Sequence, residues 1–483
     1  MSARRATDER WRDRPRELAE FLPSGFQVGV ATAAFQIEGG TRDGGRGEAD
    51  WDVFTHQPGR ILDGSTADVA TDHYHRWRED VALMRELGVD SYRFSLSWPR
   101  IQPGGRGGGN REGIAFYDRL IDDLLAAGIK PMATLFHWDT PVELSGGWMS
   151  RDTANRFADY SFLAAEAFGD RVSSWVTINE PATVTLNGYA LGIHAPGHAL
   201  LFDALPAAHH QLLGHGLAVG ALRDAGVTGR IGITNVHSPV EPAGDGEEDA
   251  LYAALFDVIH NRIFSDPVLL GRYPEVPEPF RDLLGVFDEV DADDLRTISA
   301  PIDFFGLNYY FPSRVAAGAG GGDSPDGEAE AMRSLPFHLA EWPEFDRTGF
   351  GWPIAPSYLG VALSELHDRY GDALPPVVIT EGGASFASTP DEDARDGDVV
   401  VDDAARIEYL GDHLAAAVKA VSPGGIAAGV DLQGYHVWSL LDNFEWAAGY
   451  TQRFGIVHVD FASGKRTPKR SFGWLREVLR SRR

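Results

Sequence analysis

The 483-residue sequence contains no cysteine. Without thiols, the chain can form no disulfide, no thiolate metal centre, no iron–sulfur cluster and no cysteine nucleophile. Lysine is also scarce, so almost all of the positive charge comes from arginine. The 71 acidic residues outnumber the 43 basic ones, which gives a formal charge of −28. A surface this negative repels nucleic acid and anionic membranes, so we expect neither as a partner. An uncharged small-molecule substrate fits it better.

Long apolar stretches are missing as well. No uninterrupted apolar run approaches the roughly 20 residues that a membrane-spanning helix needs. The first 21 residues alternate charges and lack the apolar stretch found in secretory signals. We therefore expect a soluble protein with a cytoplasmic location. Both a monomer and a homo-oligomer are compatible with the sequence.

Motifs for phosphates, dinucleotides and metals are weak. The glycine-rich segments 104–110 and 316–331 have neither a P-loop lysine nor the dinucleotide-binding spacing after a strand, and therefore predict flexible loops. The acidic segment 389–398 resembles a calcium loop only faintly and lacks the closing glutamate. His73 and His75 form a close pair in DHYH, for which structural hydrogen bonds are favoured over metal binding. We expect no cofactor and no metal.

Apolar segments rich in β-branched residues alternate with amphipathic helical segments along the whole chain. Eight segments are predicted to be strands, the number that closes a parallel barrel. Long gaps between several of them indicate insertions in the βα loops. The sequence therefore predicts an α/β fold with a single (β/α)8 TIM barrel as catalytic domain over 21–483, preceded by an N-terminal extension over 1–20. The predicted strands are 26–35, 91–98, 130–138, 173–180, 230–238, 303–310, 376–383 and 432–442.

Polar or aromatic side chains stand at the C-terminal end of each predicted strand. In a barrel these ends share one face, where the active site is built. One polar residue at a strand end means little, because loops begin there. Eight such ends rich in amide, carboxylate, imidazole and aromatic groups predict a functional site. The residues are Gln36, Arg93, His137, Asn179 with Glu180, Asn235, Asn308 with Tyr310, Glu381 and Trp438.

Two of these residues are glutamates that close short β-forming runs, Glu180 in VTINEP and Glu381 in VVITEGG. A barrel would bring them together as a facing pair of carboxyl groups. Such a pair is the minimum needed to break a glycosidic bond through an oxocarbenium-like transition state. One group would deliver a proton to the leaving oxygen while the other attacks the anomeric carbon.

A second group of candidates lies at 438–455, WSLLDNFEWAAGYTQRFG, where Glu445 stands between Phe444 and Trp446. Sugars present hydroxyl edges and apolar C–H faces, so their pockets combine hydrogen-bonding groups with aromatic platforms. Aromatic residues at this spacing are more often part of the core. A carboxylate between two of them is costly to bury unless something binds it. The segment therefore predicts part of a sugar-binding pocket.

These motifs together resemble glycoside hydrolase family 1, the β-glucosidase family of retaining (β/α)8-barrel enzymes. The resemblance covers nearly the whole chain. It implies hydrolysis of terminal non-reducing β-D-glucosyl residues of O-glycosides by double displacement, with β-galactosides and β-fucosides as further substrates and cellobiose degradation as a metabolic role. The matching segments are FQVGVATAAFQIEGG at 26–40, residues 72–101, LFHWDTP at 135–141, VTINEP, and FEWAAGYTQRFGI at 444–456.

The resemblance also implies a role for each matching residue. Glu180 would be the acid/base, with a pKa raised by its charged neighbour, and Glu381 the nucleophile. Tyr310 would hydrogen-bond the nucleophile, with Arg93 close behind it, and Asn308 would lie near the catalytic centre. The remaining substrate-binding residues would be Gln36, His137, Asn179, Glu445 and Trp446 on the glycone hydroxyls, Trp438 beneath the sugar and Phe454 closing the pocket.

A few positions separate branches of that family. Family members that act on 6-phosphorylated sugars have different residues at the positions of Glu445 and Trp446, because a carboxylate at this place would repel the phosphate of the sugar. Plant thioglucosidases lack the acid/base glutamate found here as Glu180, so we expect cleavage of unphosphorylated O-glycosides. Two departures, Gly382 in place of the usual Asn and Ala182 in place of a bulkier residue, indicate a changed leaving-group side.

Two alternatives stay open at this point. A transglycosylase, or a relative that prefers β-galactosides, would use the same residues and differ in water access and in hydroxyl contacts. A sugar-binding or scaffold protein on the same barrel would be expected to have lost a catalytic glutamate, whereas both glutamates are present here.

Overall fold

The computed structural model describes residues 11–319, 335–388 and 401–482. Eight strands form a closed barrel in which each strand pairs in parallel with the next and the eighth pairs with the first. The predicted (β/α)8 barrel is confirmed, and each of the eight predicted strands is present. They are β1 (Gln27–Ala31), β2 (Ser91–Ser95), β3 (Lys130–Phe136), β4 (Ser174–Asn179), β5 (Arg230–Val236), β6 (Phe304–Asn308), β7 (Val377–Gly382) and β8 (Leu432–Trp438).

A helix follows each strand before the next one begins, and a last helix follows β8. Asn110 and Gly88 show how the helix ends are set. The side chain of Asn110 accepts a hydrogen bond from the first turn of its helix, and the left-handed backbone of Gly88, at φ +81°, ends another helix. The helices are α1 (His73–Leu87), α2 (Arg111–Ala126), α3 (Arg151–Phe168), α4 (Leu205–Asp224), α5 (Ala292–Ile298), α6 (Pro356–Tyr370), α7 (Ala404–Val421) and α8 (Arg470–Ser481).

Shorter elements lie between these. The strands Val457–Asp460 and Lys465–Pro468 form an antiparallel pair after β8. Val184–Ala190 and Val258–Arg262 are π-helical. The other helical segments are Trp11–Asp13, Pro15–Phe21, Ala34–Ile37, Asp50–Thr55, Trp98–Ile101, Gly147–Met149, Pro181–Thr183, Leu201–Ala204, Glu247–Asp257, Ile263–Leu270, Glu278–Phe287, Gly371–Ala373 and Trp446–Ala448. None of the helices in the described ranges is long and apolar enough to cross a membrane.

The predicted insertions in the βα loops are confirmed after β5 and β6. Three short strands, Val240–Pro242, Ser313–Ala317 and Phe337–Leu339, form a separate sheet there. Its side chains join those of Glu247–Asp257 and Ile263–Leu270 in a second apolar cluster, apart from the main core. The calcium-like segment 389–398 and residues 320–331 of the glycine-rich insertion lie outside the described residues.

The barrel itself is packed. Met132, Val176, Phe304 and Val378, from four different strands, form a buried apolar cluster, while the main core lies between the barrel and its helices. Such a barrel is a solid support and not a pore. The C-terminal strand ends are therefore held rigidly, as a site that needs fixed geometry requires.

Candidate active site

The two glutamates meet at the C-terminal mouth of the barrel. Glu180 directly follows β4 and has a left-handed backbone conformation at φ +47°, which turns the chain sharply into the next helical segment. Glu381 lies near the end of β7, in register with Asn308 of β6. Both glutamates are buried, at 5% and 3% exposure. Residues 201 positions apart in sequence thus face one another, as the strand pattern predicted.

Glu381 is held by two donors. Arg93 donates from Nη1 to Oε1, and the hydroxyl group of Tyr310 donates to Oε2 at 2.7 Å. Burial and the negative charge of Glu381 raise the pKa of Tyr310 well above its ordinary value, so the phenol keeps its proton for this bond. The buried guanidinium group compensates the carboxylate charge, and the two bonds together fix its orientation.

Glu180 has a different environment. Asn308 donates from Nδ2 to Oε1 at 2.6 Å, and Thr183 donates from Oγ1 to Oε2 at 2.7 Å. Burial, and then the neighbouring charge of Glu381, raise the pKa of Glu180 to about 7. The upward direction is the one expected from the sequence, but burial is a larger cause than the neighbouring carboxylate. A carboxyl group with this pKa can both give and take a proton near neutral pH.

One hydrogen-bond network joins the two glutamates to the adjoining strand ends. Arg93 donates from Nη2 to Asn179 Oδ1 at 2.6 Å, and Asn308 donates to the same oxygen at 3.1 Å. The amide nitrogen of Asn179 lies 3.2 Å from Nε2 of His137. Burial and the charge of Arg93 hold the pKa of His137 well below its ordinary value, so its imidazole is neutral. The Oδ1 of Asn308 in turn accepts a bond from Thr380 at 2.8 Å.

Two buried oxygen atoms near this network have no hydrogen-bond partner among the described residues. Gln36 donates from Nε2 to Asn443 and to the carbonyl of Phe444, but its Oε1 has no partner. Oε2 of Glu445 has none either, and burial followed by the charges of Glu381 and Glu180 raises the pKa of Glu445 to about 8. Both oxygen atoms are therefore available to accept hydrogen bonds from hydroxyl groups.

Aromatic rings border the same space. His137 stacks on Trp438 at 6.0 Å and on Trp446 at 5.9 Å between ring centroids. Phe454 contacts Tyr310 edge to face at 6.4 Å. Flat apolar faces next to unpaired polar atoms suit a sugar ring, whose hydroxyl edges and C–H faces need both kinds of contact.

The structure therefore brings together each residue that was predicted for the site except Asn235. That residue also ends a strand, but it donates from Nδ2 to the carbonyl of Phe264 and to Ser265, 3.1 Å from each. It holds the insertion helix and not a substrate. The grouped residues are Gln36, Arg93, His137, Asn179, Glu180, Asn308, Tyr310, Glu381, Trp438, Glu445, Trp446 and Phe454.

Sequence reasoning missed Thr183 and Trp138. Thr183 lies one turn beyond Glu180, a spacing that could have identified it, and Trp138 donates from Nε1 to the carbonyl of Asn179 at 2.9 Å. Ala182, expected to affect the leaving-group side, is 1% exposed and belongs to the second apolar cluster. Its methyl group therefore packs against the insertion that follows β5 and β6.

The histidine pair near the N-terminal part of the chain is hydrogen-bonded to carboxylates. Nδ1 of His73 lies 2.8 Å from Asp80, and Nδ1 of His75 lies 2.6 Å from Asp72. These contacts agree with structural hydrogen bonds. Within the described part of the chain, no group of three or more His, Asp or Glu side chains is arranged to hold a metal ion.

A carboxyl group with a pKa raised to about 7, beside a second one held in place by Arg93 and Tyr310, is the arrangement that glycosidic bond cleavage requires. Together with the barrel, this defines the class: a glycoside hydrolase with two catalytic carboxyl groups. The Glycosyl hydrolase family 1 model matches residues 18–483, and the chain belongs to that family.

The chain is similar to characterised relatives over nearly its whole length. It is 42% identical over 464 residues to beta-glucosidase A of Thermotoga maritima, which covers 95% of this chain and 98% of that protein. It is 41% identical over 478 residues to a bifunctional beta-D-glucosidase/beta-D-fucosidase of Bifidobacterium breve, covering 96% and 99%. The structure of the psychrophilic beta-glucosidase BglU of Micrococcus antarcticus superposes with a TM-score of 0.87 at 43% identity, covering 97% and 99%.

Proposed function

We propose that the protein is a retaining β-glucosidase that hydrolyses terminal non-reducing β-D-glucosyl residues of O-glycosides, with further activity on β-galactosides and β-fucosides. The observation that carries this proposal is the unequal environment of the two carboxyl groups. Glu381 has a cation and a phenol as donors, which suits an ionised nucleophile. Glu180 has neutral donors and a pKa of about 7, which suits a group that gives a proton and then takes one.

The reaction then proceeds by double displacement. The carboxylate of Glu381 attacks the anomeric carbon while Glu180 protonates the glycosidic oxygen, so the aglycone leaves as an alcohol and a glycosyl ester of Glu381 remains. Glu180, now ionised, takes a proton from a water molecule that attacks the same carbon. The ester bond breaks, Glu381 is released as a carboxylate, and Glu180 is neutral again. Two inversions leave the sugar in its original β configuration.

The glycone contacts support an unphosphorylated sugar. The unpaired oxygen atoms of Gln36 and Glu445 are acceptors for hydroxyl groups, and Glu445 would repel a phosphate in its ionised form. The relative from Bifidobacterium breve acts on both glucosides and fucosides by its name, which supports tolerance at the sugar C4 and C6 positions here, because D-fucose differs from D-glucose at both.

Substrate choice and stereochemistry can be tested together. We expect aryl β-D-glucoside to be hydrolysed with the highest kcat/KM, and aryl β-D-galactoside and β-D-fucoside measurably. The 6-phosphoglucoside should be hydrolysed at least about 10²-fold more slowly, since its phosphate would bring further negative charge into a buried pocket that already contains three glutamates, Glu180, Glu381 and Glu445. NMR of the first product should show β-glucose before mutarotation. Aryl α-D-glucoside is the matched control. α-Glucose as first product, or a clear preference for the phosphorylated sugar, would contradict the proposal.

The proton-donor role of Glu180 predicts a leaving-group effect. In Glu180→Gln, kcat/KM for an alkyl β-glucoside should fall by about 10²-fold or more, because general acid catalysis is lost. For a dinitrophenyl glucoside, whose leaving group needs no proton, kcat/KM should fall far less, because the glycosylation step then needs no acid. The alkaline limb of the kcat/KM profile, expected near pH 7 in the wild type, should disappear. Glu166→Gln, at an exposed position of α3, is the control. Equal losses for both substrates would contradict the assignment.

Several finer points stay predictions. They are the catalytic domain boundary at residue 21, the cytoplasmic location, a homo-oligomeric state and a role in cellobiose degradation.

A further inference from the structure

We propose that Thr183 is a positioning residue that partners Glu180 in both of its protonation states and holds the transferable proton on one oxygen, Oε2. This inference rests on the proposed role of Glu180 as the acid/base. Thr183 touches only Glu180 in this role, and it acts on the substrate through that residue.

The geometry separates the two oxygen atoms of Glu180. Nδ2 of Asn308 lies 2.6 Å from Oε1, and Oγ1 of Thr183 lies 2.7 Å from Oε2. An amide N–H group can only donate, so a proton on Oε1 would face another proton. Oδ1 of Asn308 accepts from Thr380, which keeps the amide from turning over. A carbonyl oxygen accepts this bond more strongly than an O–H oxygen does, so the contact with Asn308 favours the neutral carboxyl group that carries its proton on Oε2.

A hydroxyl group, unlike an amide N–H group, can both donate and accept a hydrogen bond. The oxygen of Thr183 can donate to an ionised carboxylate, and after a rotation about its C–O bond it can accept from the protonated carboxyl group. An acid/base residue alternates between these two states within every turnover. Thr183 thus offers Oε2 a partner before and after proton transfer, without movement of the backbone.

The local fold keeps the two residues together. Glu180 has φ +47°, and the helical segment Pro181–Thr183 begins immediately after it. Thr183 is therefore three residues beyond Glu180 on the first turn, where side chains at that spacing are neighbours. Thr183 is half-buried while Glu180 is buried, so the hydroxyl group lies at the edge of the site.

Other charged and titratable groups act on Glu180 from the surrounding strands. Glu381 on β7 disfavours its ionised form, whereas Arg93 on β2 favours it. Substituting Thr183 changes none of these groups, so a shift in the pKa of Glu180 in a Thr183 variant would come from the change at position 183. The groups around Glu180 are Arg93, Tyr310, Glu381 and Glu445, with neutral His137 beyond Asn179.

The direction of the effect follows from hydrogen-bond strength. A bond donated to an ionised carboxylate is roughly twice as strong as a neutral one. Removing the hydroxyl group therefore costs the ionised form of Glu180 more than the neutral form, and its pKa rises. In Thr183→Val, which keeps the branched shape, we expect the alkaline limb of kcat/KM to move up by about 0.5 to 1 pH unit. Thr183→Ser, which keeps the hydroxyl group, should leave the limb in place.

The test measures pH profiles of kcat/KM with an alkyl β-glucoside for wild type, Thr183→Val, Thr183→Ser and Thr183→Ala. Thr183→Ala serves if the valine variant does not fold, and it should show the same shift. An unmoved limb in the variants without a hydroxyl group would overturn the proposal. So would an equal shift in Thr183→Ser, because packing and not the hydroxyl group would then be the cause.

Glu180→Gln, measured alongside, separates this inference from the proposed function. If its alkaline limb disappears while Thr183→Val leaves the limb unmoved, the role of Thr183 is wrong and the role of Glu180 stands. If the limb persists in Glu180→Gln, the acid/base assignment fails, and the inference about Thr183 fails with it.

Discussion

Replacing Glu381 by glutamine is expected to lower kcat for an aryl β-glucoside by about 10⁴-fold or more, which corresponds to roughly 5.5 kcal/mol of transition-state stabilisation. The amide is nearly the same size as the carboxyl group, but it carries no negative charge to attack the anomeric carbon. Without the glycosyl ester of Glu381, hydrolysis by double displacement has no first step.

The pocket should survive this substitution. The amide oxygen of Glu381→Gln can still accept from Arg93, and its NH2 group can donate to the hydroxyl group of Tyr310, so both neighbours of the native carboxylate keep a partner. We therefore expect glucose-like inhibitors to bind within about tenfold of their wild-type affinity, because most glycone contacts come from other residues. Titration of the variant with such an inhibitor checks this directly.

Two controls make the loss of activity interpretable. Glu166→Gln makes the same chemical change at an exposed position of α3 and should keep wild-type activity. Mass spectrometry of the wild-type enzyme after rapid acid quench of a dinitrophenyl glucoside should show one added hexosyl group on the peptide containing Glu381, and the variant should show none. A variant that keeps more than a tenth of the wild-type kcat would contradict the nucleophile assignment.

Much of the barrel could be predicted because each strand is a short apolar run with a polar end. The prediction failed at some boundaries for a physical reason. The run 26–35 was expected to be one strand, but β1 ends at Ala31 and the chain enters a short helix, Ala34–Ile37. Apolar content does not distinguish a buried strand from a buried helical turn, so the bend was not visible.

Site residues could be predicted where an unusual residue type stands at a strand end. They could not be explained from the sequence where the deciding contact joins segments that are distant along the chain. Gly382 shows this limit. A Cβ atom at that position would lie 2.2 Å from the hydroxyl group of Tyr435 on β8. The glycine next to Glu381 is thus explained by a neighbouring strand, and nothing in the motif ITEGG itself indicates Tyr435. Thr183 differs from Gly382, because its contact with Glu180 is local: the three-residue spacing could have indicated it, and the 2.7 Å distance in the structure identifies it.

Arg93 gives the second large effect, on both stability and activity. It is 1% exposed and donates to Glu381, to Asn179 at 2.6 Å and to the carbonyl of Thr380 at 3.3 Å. In Arg93→Met the new side chain is unbranched and apolar, so it fills part of the same space but leaves the buried carboxylate of Glu381 without its cation. Breaking a buried ion pair from one side costs about 3–5 kcal/mol, so the free energy of unfolding should fall by that amount. Urea denaturation monitored by tryptophan fluorescence measures it.

Activity should fall in the same variant by about 10² to 10³-fold, because a fixed positive charge no longer favours the ionised nucleophile. Arg93→Lys should recover part of the activity, since it restores the charge but not the two-pronged contact with Glu381 and Asn179.

A double substitution decides whether the carboxylate is the reason for the loss of stability. Glu381→Gln removes the charge that Arg93 compensates, so Arg93→Met should cost clearly less stability in that background than in the wild type. Arg156→Met, which breaks half-exposed ion pairs with Asp152 and Asp159, is the control and should cost at most about 1 kcal/mol. Equal losses from Arg93→Met in both backgrounds would show that packing, and not the ion pair with the nucleophile, makes Arg93 necessary.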